Sequence, residues 1–345
     1  MRGFLNIDKP AGLSSFDVVR AVRRAAGIRR VGHAGTLDPA ATGVLPIAVG
    51  EATRLVEEVL DARKRYRAVI ELGAETDTDD GDGQVIARGD ASAVAREQVE
   101  EHLGAFRGEQ WQRPPAYSAV KRDGAPAYRA ARAGAPLELE ARQVITYAVD
   151  VIGFERAEGR SPRLEVDVEC GRGYYLRALA RDLGRALGCR AHLGELRRLA
   201  VGPFRAADSA TLASAEERLR RGDLETLVHA PDAVLTEWPA LIVGDGAVAE
   251  LRFGRDIRAR RRWPHRIAPQ GRRARCYGPE GRLVALLQAT AIPDAWHPYR
   301  VLSSDPREEG APPRAASGRL DGGRAAGPDG RSIPVVDTEQ ALQQE

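Results

Sequence analysis

With 345 residues, of which 43% are hydrophobic, the chain is long enough for two domains with sizeable cores. Its 52 basic and 49 acidic side chains nearly cancel, so the net charge of +3 identifies no class of partner. Three widely spaced cysteines argue against a disulfide framework, and no apolar run could serve as a signal peptide or bilayer span, so we expect a cytoplasmic protein.

A strand and a helix are the first predicted elements. Residues 4–7 are apolar enough for a short strand, and the Asp-Lys-Pro-Ala-Gly sequence at 8–12 is typical of a turn. Ser14 or Ser15 caps a helix that ends at Gly27. The apolar face of this helix is predicted to carry Phe16, Val19, Val22 and Ala26. Its other face is rich in arginine, which indicates either a solvated surface or a phosphate contact.

The next segment, residues 32–46, has neither a helical nor a strand period. Three glycines and two prolines make it a loop, and His33 and Asp38 stand between them. Leu37 and Val44 are apolar enough to hold the loop against a core, and a loop held on both sides can present one acid rigidly. Asp38 is therefore either a turn residue that accepts backbone hydrogen bonds or a catalytic carboxylate.

Residues 51–62 fit a helix, and residues 66–72 alternate as a strand. Tyr66 lies at the beginning of that strand, on its apolar side. It is therefore either a core tyrosine or a tyrosine whose ring covers a pocket. The acidic run 75–83 is reminiscent of a calcium loop, but Gly81 falls where the third EF-hand ligand should be. We therefore predict a polar turn without a metal.

Residues 91–104 suit a helix, and the stretch 111–134, rich in proline, arginine and lysine, ends in a short helix over 126–134. The apolar side chains at 145, 147, 149 and 151 alternate and predict another strand. Residues 164–170 alternate apolar and acidic side chains strictly. One face of that strand should therefore contact water, as in an antiparallel or mixed sheet.

The helix that follows is predicted from its leucines at 176, 179, 183 and 187, with Gly188 at its end. Arg177 and Arg181 lie on a different face in its first turns. Arginine is unfavourable near a helix N-terminus, because the macrodipole there favours an anion. Arg177 is therefore either an ordinary surface arginine or the partner of a carboxylate.

Another strand is predicted over 192–204, and Leu196 lies on it. From Trp238 onward, short strands separated by glycine and proline predict a small β-barrel. Nine arginines and one acid between residues 255 and 275 form the strongest basic patch of the chain, which is typical of a nucleic-acid contact. The composition of 303–345 predicts a disordered tail.

The run GHAGTLDPAATGVLPIAVGEATR closely resembles the signature loop of the TruB family of tRNA pseudouridine synthases. The turn at 8–12 and the Lys-Arg-Tyr sequence at 64–66 also resemble family motifs, and the resemblance spans residues 3–204. It implies an α+β fold, in which a mixed, largely antiparallel sheet has flanking helices and a small PUA-like β-barrel follows. The implied domains are a catalytic domain at 1–235, with a thumb-like insertion near 108–140, and an RNA-binding domain at 240–302.

The resemblance also implies residue roles. Asp38 is the catalytic residue, and Arg177 is the arginine that pairs with it. His33 occupies the space that a flipped base leaves in the RNA. A competing hypothesis makes His33 and Asp38 the acid/base pair of a hydrolase, but the chain has no Gly-x-Ser-x-Gly or HExxH motif and no Cys/His metal cluster, which weakens it.

The uracil pocket is implied to contain three further residues. Tyr66 stacks on the target base, Tyr175 packs beside it, and Leu196 forms a wall, although Leu196 fits a plain core position as well. The implied reaction converts uridine 55 in the T arm of tRNA to pseudouridine after the base is flipped out. Attack at C1′, attack at C6 and loss of the C2′ proton all stay open.

Pseudouridine formation loses no atom or electron, so we expect no cofactor and no metal. The expected partner is tRNA, bound by a monomer without an obligate protein partner. A structured-RNA-binding or tRNA-folding protein without catalysis is the main alternative, which the basic C-terminal region alone would allow.

Overall fold

The computed structural model describes residues 1–258 and 271–302, except 119, 123–124, 133–134, 136, 138 and 157–160. The chain divides into two compact units, Met1–Glu237 and Trp238–Glu345. In the described ranges, no helix combines the length and apolarity that crossing a bilayer requires. Part of the basic patch, at 259–270, and the predicted tail at 303–345 lie outside the described residues.

The first unit contains six α-helices and fifteen strands within its described part. The helices are α1 (Ser15–Ala26), α2 (Val56–Asp61), α3 (Arg96–Gly104), α4 (Ala127–Arg132), α5 (Leu176–Ala186) and α6 (Leu212–Arg221). The strands are β1 (Gly3–Lys9), β2 (Val31–His33), β3 (Thr42–Val49), β4 (Lys64–Leu72), β5 (Ala74–Thr76), β6 (Val85–Arg88), β7 (Gly108–Gln112), β8 (Lys121–Arg122), β9 (Ala125–Pro126), β10 (Arg142–Glu155), β11 (Arg163–Cys170), β12 (Ala191–Val201), β13 (Phe204–Arg205), β14 (Ala210–Thr211) and β15 (Val228–His229).

Eleven of these described strands form one mixed sheet with the main order β14-β1-β3-β12-β4-β11-β10-β7. The pairs β1–β14 and β3–β12 are parallel, and the other pairs are antiparallel. Helices α3 and α5 share one apolar core with β4, β10, β11 and β12, and α1 and α6 share another with β1 and β3. The predicted mixed sheet with flanking helices is confirmed.

Helix α1 differs from the sequence prediction in the face that it buries. Ser14 is the N-cap, with a reciprocal hydrogen bond to Asp17, and Gly27 ends the helix with φ 65°. Phe16, assigned to the apolar face, is 43% exposed. The buried stripe instead runs through Ser15, Val18, Val19 and Val22, because positions i, i+3, i+4 and i+7 share one face. This places the Ser15 hydroxyl inside the protein.

Strand β10 departs from the predicted alternation for a local reason. Val144 and Thr146 are buried before a β-bulge between Thr146 and Ala148, and Val149 is buried after it. Tyr147, which was assigned to the apolar face, is 40% exposed. A bulge inserts one residue, so it exchanges the faces that the following side chains occupy.

Three helix boundaries also differ from the prediction. The helix expected over 51–62 is a 3-10 turn at Gly50–Leu55 followed by α2, and α3 starts only at Arg96. Helix α4 (Ala127–Arg132) begins after Pro126, which belongs to β9, and residues 133–134 of the predicted helix lie outside the described residues. On β11, Asp167 of the expected water-facing side is 5% exposed, because Arg65 and Arg67 of β4 form ion pairs with it.

The second unit forms a curled half-barrel. Its elements are β16 (Ala240–Ile242), α7 (Asp245–Arg252), β17 (Ile257–Arg258), β18 (Arg273–Tyr277), β19 (Leu283–Ala289) and β20 (Ala295–Val301). In its described part, five strands follow the order β16-β18-β19-β20-β17, and the two end strands do not pair. This sheet is consistent with the predicted PUA-like domain, and α7 was not predicted.

Gly43, the second residue of β3, permits the close approach of β3 and β12. Its φ is 103°, and a Cβ atom there would lie 2.2 Å from the carbonyl oxygen of Arg198. We expect Gly43→Ala to lower the free energy of unfolding by at least about 2 kcal/mol, since the positive φ costs about 1–2 kcal/mol and the contact adds to it. Urea denaturation measures the loss.

Gly27→Ala is the matched control for that substitution. Gly27 also has a positive φ, 65°, but among the described residues a Cβ atom there would meet nothing within 4 Å outside its own helix and chain neighbours. We expect a loss of only about 1 kcal/mol, from the backbone alone. Equal losses in the two variants would show that the contact with Arg198 is not what requires glycine at position 43.

Candidate active site

The loop between β2 and β3 carries Asp38, and hydrogen bonds to α1 and to the turn after β1 fix it in place. The hydroxyl of Ser15 accepts a hydrogen bond from the Leu37 amide (2.8 Å) and donates one to the Leu37 carbonyl (3.1 Å). The Gly12 amide donates to the Pro39 carbonyl (2.8 Å), and Leu37 is 4% exposed. The loop is therefore bound on both sides of Asp38, which limits how far the carboxylate can move.

Lys9 joins the turn after β1 to the same loop. Its side chain is fully buried, and Nζ donates to the carbonyls of Pro10 (2.9 Å), Leu13 (2.6 Å) and Pro39 (3.1 Å). Burial lowers the pKa of Lys9 to about 8, although the negative charge of Asp38 acts in the opposite direction. From the sequence, Lys9 was predicted only as a turn residue, and this contact was missed.

Arg177 forms the ion pair with Asp38 that was expected from the sequence. Its Nη2 lies 3.1 Å from Oδ2 of Asp38, and its Nη1 lies 3.5 Å from Oδ2 of Asp80. The guanidinium also donates to the carbonyls of Thr78 (3.2 Å) and Tyr117 (3.0 Å). The side chain of Arg177 is 8% exposed and that of Asp38 is 46% exposed, so a buried cation orients an accessible carboxylate.

The acidic run at 75–83 has a part in this site that sequence reasoning missed. Arg177, Arg181 and Arg185 are four residues apart on α5, so they share one face. Arg181 lies 2.8 Å from Asp79 and Arg185 lies 2.5 Å from Glu75, so the run pairs with this arginine face. The four-residue spacing of the arginines on α5 was the feature of the sequence that could have predicted this pairing. Within the described part of the chain, no group of three His, Cys, Asp or Glu side chains could hold a metal.

Tyr66 lies on β4, and Leu196 lies on the neighbouring strand β12. Both are half-buried and pack against the core shared by α3, α5 and the sheet, and Leu196 pairs with Ala68 in register. Burial raises the pKa of Tyr66, while the charge of Arg198 opposes this and that of Asp38 adds a smaller increase. At neutral pH the phenol of Tyr66 therefore carries its proton.

Tyr175 precedes α5 and is held through its backbone. Its amide donates to Oε1 of Gln112 (2.8 Å), and Nε2 of Gln112 donates to its carbonyl (3.1 Å). Burial raises the pKa of Tyr175. The nearby charge of Arg177 lowers this pKa, and the charge of Asp38 raises it more weakly. Arg177 thus contacts Asp38, and Asp38 lies close enough to Tyr66 and Tyr175 for its charge to affect the pKa of each phenol.

His33 ends β2 and pairs with Ile47 of β3. Burial, and secondarily the charge of Arg198, lower the pKa of His33 to about 4. No hydrogen bond or ion pair joins His33 to Asp38 among the described residues, and the observed partner of Asp38 is Arg177. The geometry therefore does not support a His33–Asp38 acid/base pair of the kind a hydrolase would need.

The depressed pKa of His33 predicts a pH dependence of stability. Between about pH 4 and 6.5 the unfolded chain binds a proton at this site and the folded chain does not, so stability falls as the pH falls through this window. The loss at pH 4.5 relative to pH 7 is about 2–3 kcal/mol. Urea denaturation should show it in the parent chain and not in His33→Gln; parallel pH profiles of the two proteins would contradict the assignment.

Two family models match the chain. The model described as TruB family pseudouridylate synthase (N terminal domain) matches residues 23–176, and that of the tRNA pseudouridylate synthase B C-terminal domain matches residues 177–235. Among similar proteins, a tRNA pseudouridine synthase B of Dehalococcoides mccartyi is 39% identical over 88% of this chain and 97% of its own length. One from Cereibacter sphaeroides is 44% identical over 73% and 82%, respectively.

Solved structures show the same fold. The protein in the crystal structure of a Cbf5–Nop10–Gar1 complex aligns with a TM-score of 0.65 and 27% identity, over 89% of this chain and 86% of that one. A chain of an H/ACA RNP bound to a substrate RNA aligns with a TM-score of 0.64 at 24% identity, over 88% and 85%, respectively. Because both family models match in succession and the two relatives are covered over 97% and 82% of their length, the chain belongs to the TruB family of tRNA pseudouridine synthases, enzymes that isomerise uridine in tRNA.

Proposed function

We propose that this enzyme isomerises the uridine at position 55, in the T arm of tRNA, with Asp38 as its nucleophile. The observation that carries the proposal is the ion pair of Asp38 with Arg177, in which one carboxylate is accessible and its guanidinium partner is buried. The carboxylate lies on a loop held by Ser15 and Lys9, so its position is set before substrate binds.

The reaction replaces a carbon–nitrogen bond by a carbon–carbon bond and exchanges one proton. The N1–C1′ bond of uridine breaks, C5 of the uracil bonds to C1′, and the proton on C5 is lost while N1 gains one. A base inside folded RNA must first be flipped out, at a cost of about a few kcal/mol. In this proposal Tyr66 and Tyr175 contact the flipped ring, Leu196 forms a wall of the pocket, and His33 fills the vacated space.

Arg177 has two effects on the nucleophile. Its charge offsets the partial loss of water around Asp38 when RNA covers the site, and its hydrogen bond fixes the direction of one carboxylate oxygen. Asp80 and two backbone carbonyls hold the guanidinium in turn. As a nucleophile, the carboxylate of Asp38 can attack the target uridine at C1′ or at C6.

The proposed domain boundaries follow from the positions of the site residues in the chain. All of them lie in the first unit, so we propose residues 1–235 as the catalytic domain, with a thumb-like insertion near 108–140 that closes over the T arm. The half-barrel at 240–302 is proposed to bind RNA. We propose that the enzyme acts on tRNA in the cytoplasm, as a monomer; the complex with Nop10 and Gar1 is a property of the structural relative.

One experiment tests the activity. The purified full-length chain is incubated with an unmodified tRNA transcript, and pseudouridine is mapped by carbodiimide treatment and primer extension. We expect one modified site in the T arm, none in a transcript with cytidine at position 55, and the same rate with a chelator once the tRNA is folded. Binding without any modification would favour a tRNA-folding protein without catalysis and contradict the proposal.

A further inference from the structure

Asp79 has a backbone conformation that residues other than glycine rarely adopt. Its φ is 61°, and in the described part of the chain the other non-glycine residues with a positive φ are Arg190 and Asp294. Asp79 is the buried one among these three, at 7% exposure. Such a conformation persists where the surrounding structure holds it, which is common at functional sites. The contacts of Asp79 therefore need to explain it.

The side chain of Asp79 is held by α5. Its Oδ2 accepts a hydrogen bond from Nη1 of Arg181 (2.8 Å), and both side chains are buried. Burial raises the pKa of Asp79 to about 6, while the charge of Arg181 lowers it, so the carboxylate is mostly ionised at neutral pH. Arg181 also contacts the carboxylate of Asp182 (2.8 Å) and the carbonyl of Arg113 (2.8 Å). A buried ion pair therefore ties Asp79 to a helix.

The residues on either side of Asp79 both contact Arg177. The Thr78 carbonyl accepts a hydrogen bond from Nη1 of Arg177 (3.2 Å), and Oδ2 of Asp80 lies 3.5 Å from the same nitrogen. A carbonyl and a side chain two residues apart can meet one nitrogen here because the chain turns between them at Asp79. The carbonyl of Asp79 itself accepts a hydrogen bond from the Leu193 amide (3.0 Å) of β12.

The carboxylate of Asp80 is oriented by the same turn. Its Oδ1 accepts hydrogen bonds from the Thr78 hydroxyl (2.5 Å) and the Asp82 amide (3.2 Å), which leaves Oδ2 toward Arg177. Nη2 of Arg177 lies 3.1 Å from Asp38. The turn at residues 78–80 thus holds one end of the guanidinium whose other end contacts the catalytic carboxylate.

We propose that the ion pair of Asp79 with Arg181 is a positioning pair, which fixes the turn at 78–80 so that Arg177 holds Asp38 in one orientation. The pair acts through Arg177 and touches no substrate itself. Its part in the reaction rests on the proposed function, whereas its effect on the position of Arg177 does not. The competing explanation is that the pair only stabilises the fold.

Two substitutions of equal charge test the proposal. Asp79→Gly adopts the left-handed conformation without strain but has no side chain for Arg181. Asp79→Asn also tolerates this conformation and keeps an oxygen that accepts a hydrogen bond from Arg181. We expect the single-turnover rate at saturating tRNA transcript to fall at least about 10-fold in Asp79→Gly, because a displacement of about 1 Å can cost about 100-fold.

The rate of Asp79→Asn should stay within about threefold of the wild-type rate, and tRNA affinity should change less than about threefold in both variants, because neither residue touches RNA. If the two variants lose rate equally, the charge of Asp79 matters and its position does not. That result would overturn the proposal, as would a wild-type rate in folded Asp79→Gly.

A double-mutant cycle asks whether Asp79 acts through the turn. In an Asp80→Asn background the contact of the turn with Arg177 is already weakened, so Asp79→Gly should lower the rate less than about threefold. Independent sites would instead give equal factors in the two backgrounds, since their free-energy changes add. Equal factors would show that the pair only supports the fold.

Glu75→Ala is the matched control for this cycle. Glu75 belongs to the same acidic run and is 3% exposed, but it pairs with Arg185 (2.5 Å) and Arg190 (3.2 Å) instead. Whatever its effect on the rate, that effect should be the same factor in the wild type and in Asp80→Asn. If Glu75→Ala couples to Asp80→Asn as strongly as Asp79→Gly does, the coupling is not specific to the pair and the proposal is wrong.

A spectroscopic measurement tests the position of Arg177 without any activity. The guanidinium nitrogen-15 resonances of Arg177 are assigned by their loss in Arg177→Lys. Asp79→Gly and Asp79→Asn remove the same charge, so a difference between their spectra reports a difference in contacts. We expect the Arg177 resonances to differ between these two variants, while those of Arg96 on α3 stay the same. Identical Arg177 resonances would overturn the proposal.

Two other outcomes are distinguishable. If the wild type makes no pseudouridine but the Arg177 resonances differ, the proposed function fails and the link between the pair and Arg177 stands. If Asp79→Gly does not fold, Arg181→Met breaks the same pair from α5. Its rate should fall at least about 10-fold in the wild type and less than about threefold in Asp80→Asn, and equal factors would overturn the proposal.

Discussion

Asp38→Asn should reduce pseudouridine formation to background while tRNA still binds with nearly wild-type affinity. The amide keeps the size of the side chain and the turn of the loop, but it removes the negative charge and the nucleophilic oxygen on which the proposed reaction depends. Single-turnover kinetics at saturating tRNA measure the rate, and filter binding measures the affinity. Residual activity above about a tenth of the wild-type rate would contradict the assignment.

The stability of this variant should change little, which separates lost chemistry from lost folding. Arg177 keeps Asp80 and its two carbonyl partners when Asp38 is replaced, so no buried cation loses all of its partners. Thermal unfolding followed by circular dichroism checks this. Asp82→Asn, at an exposed position of the acidic run, is the matched control and should keep the wild-type rate.

Tyr66→Phe should bind tRNA normally and react at least about 100-fold more slowly in single turnover, the factor typical of a lost acid/base group. Burial raises the pKa of Tyr66, so its phenol is protonated at neutral pH and can supply a proton. The ring remains in phenylalanine, so base stacking is preserved. A variant within a few-fold of the wild-type rate would leave Tyr66 only as a stacking platform.

Tyr66→Leu separates the ring from the hydroxyl. Stacking of a base on an aromatic ring is worth about 1–3 kcal/mol, so this variant should lose affinity for the flipped base in addition to the rate. Tyr147→Phe is the matched control, because Tyr147 is 40% exposed and lies against Arg63, 3.8 Å from its ring centre. We expect that control to behave as the wild type in both measurements.

The contacts of the site could be predicted only in part. The helix-dipole argument and the family resemblance together predicted that Arg177 would face Asp38, and the structure shows that contact. The second carboxylate on Arg177, Asp80, was not predicted, because the run at 75–83 is by itself typical of a polar turn. Its role depends on α5, about 100 residues further along the chain.

Local features of the amino-acid sequence determined the elements around the site. Periodicity was enough to identify β4, β11 and α5. Ser14 or Ser15 and Gly27 marked the ends of α1, and the glycines and prolines of 32–46 marked the loop that carries Asp38. Each of these depends on interactions between residues close in the chain, which propensity and capping rules describe.

Only the tertiary structure decided how the site is held together. Arg198 binds Val44 across 154 positions and Lys9 binds Pro39 across 30, and neither residue differs in its local sequence from a surface cation. Three further features also depend on contacts between distant parts of the chain. They are the bulge in β10, the burial of Ser15 in place of Phe16 and the pairing of Arg181 with Asp79. Whether a charge is buried, and which carbonyl or carboxylate balances it, depends on which distant strands the sheet brings side by side.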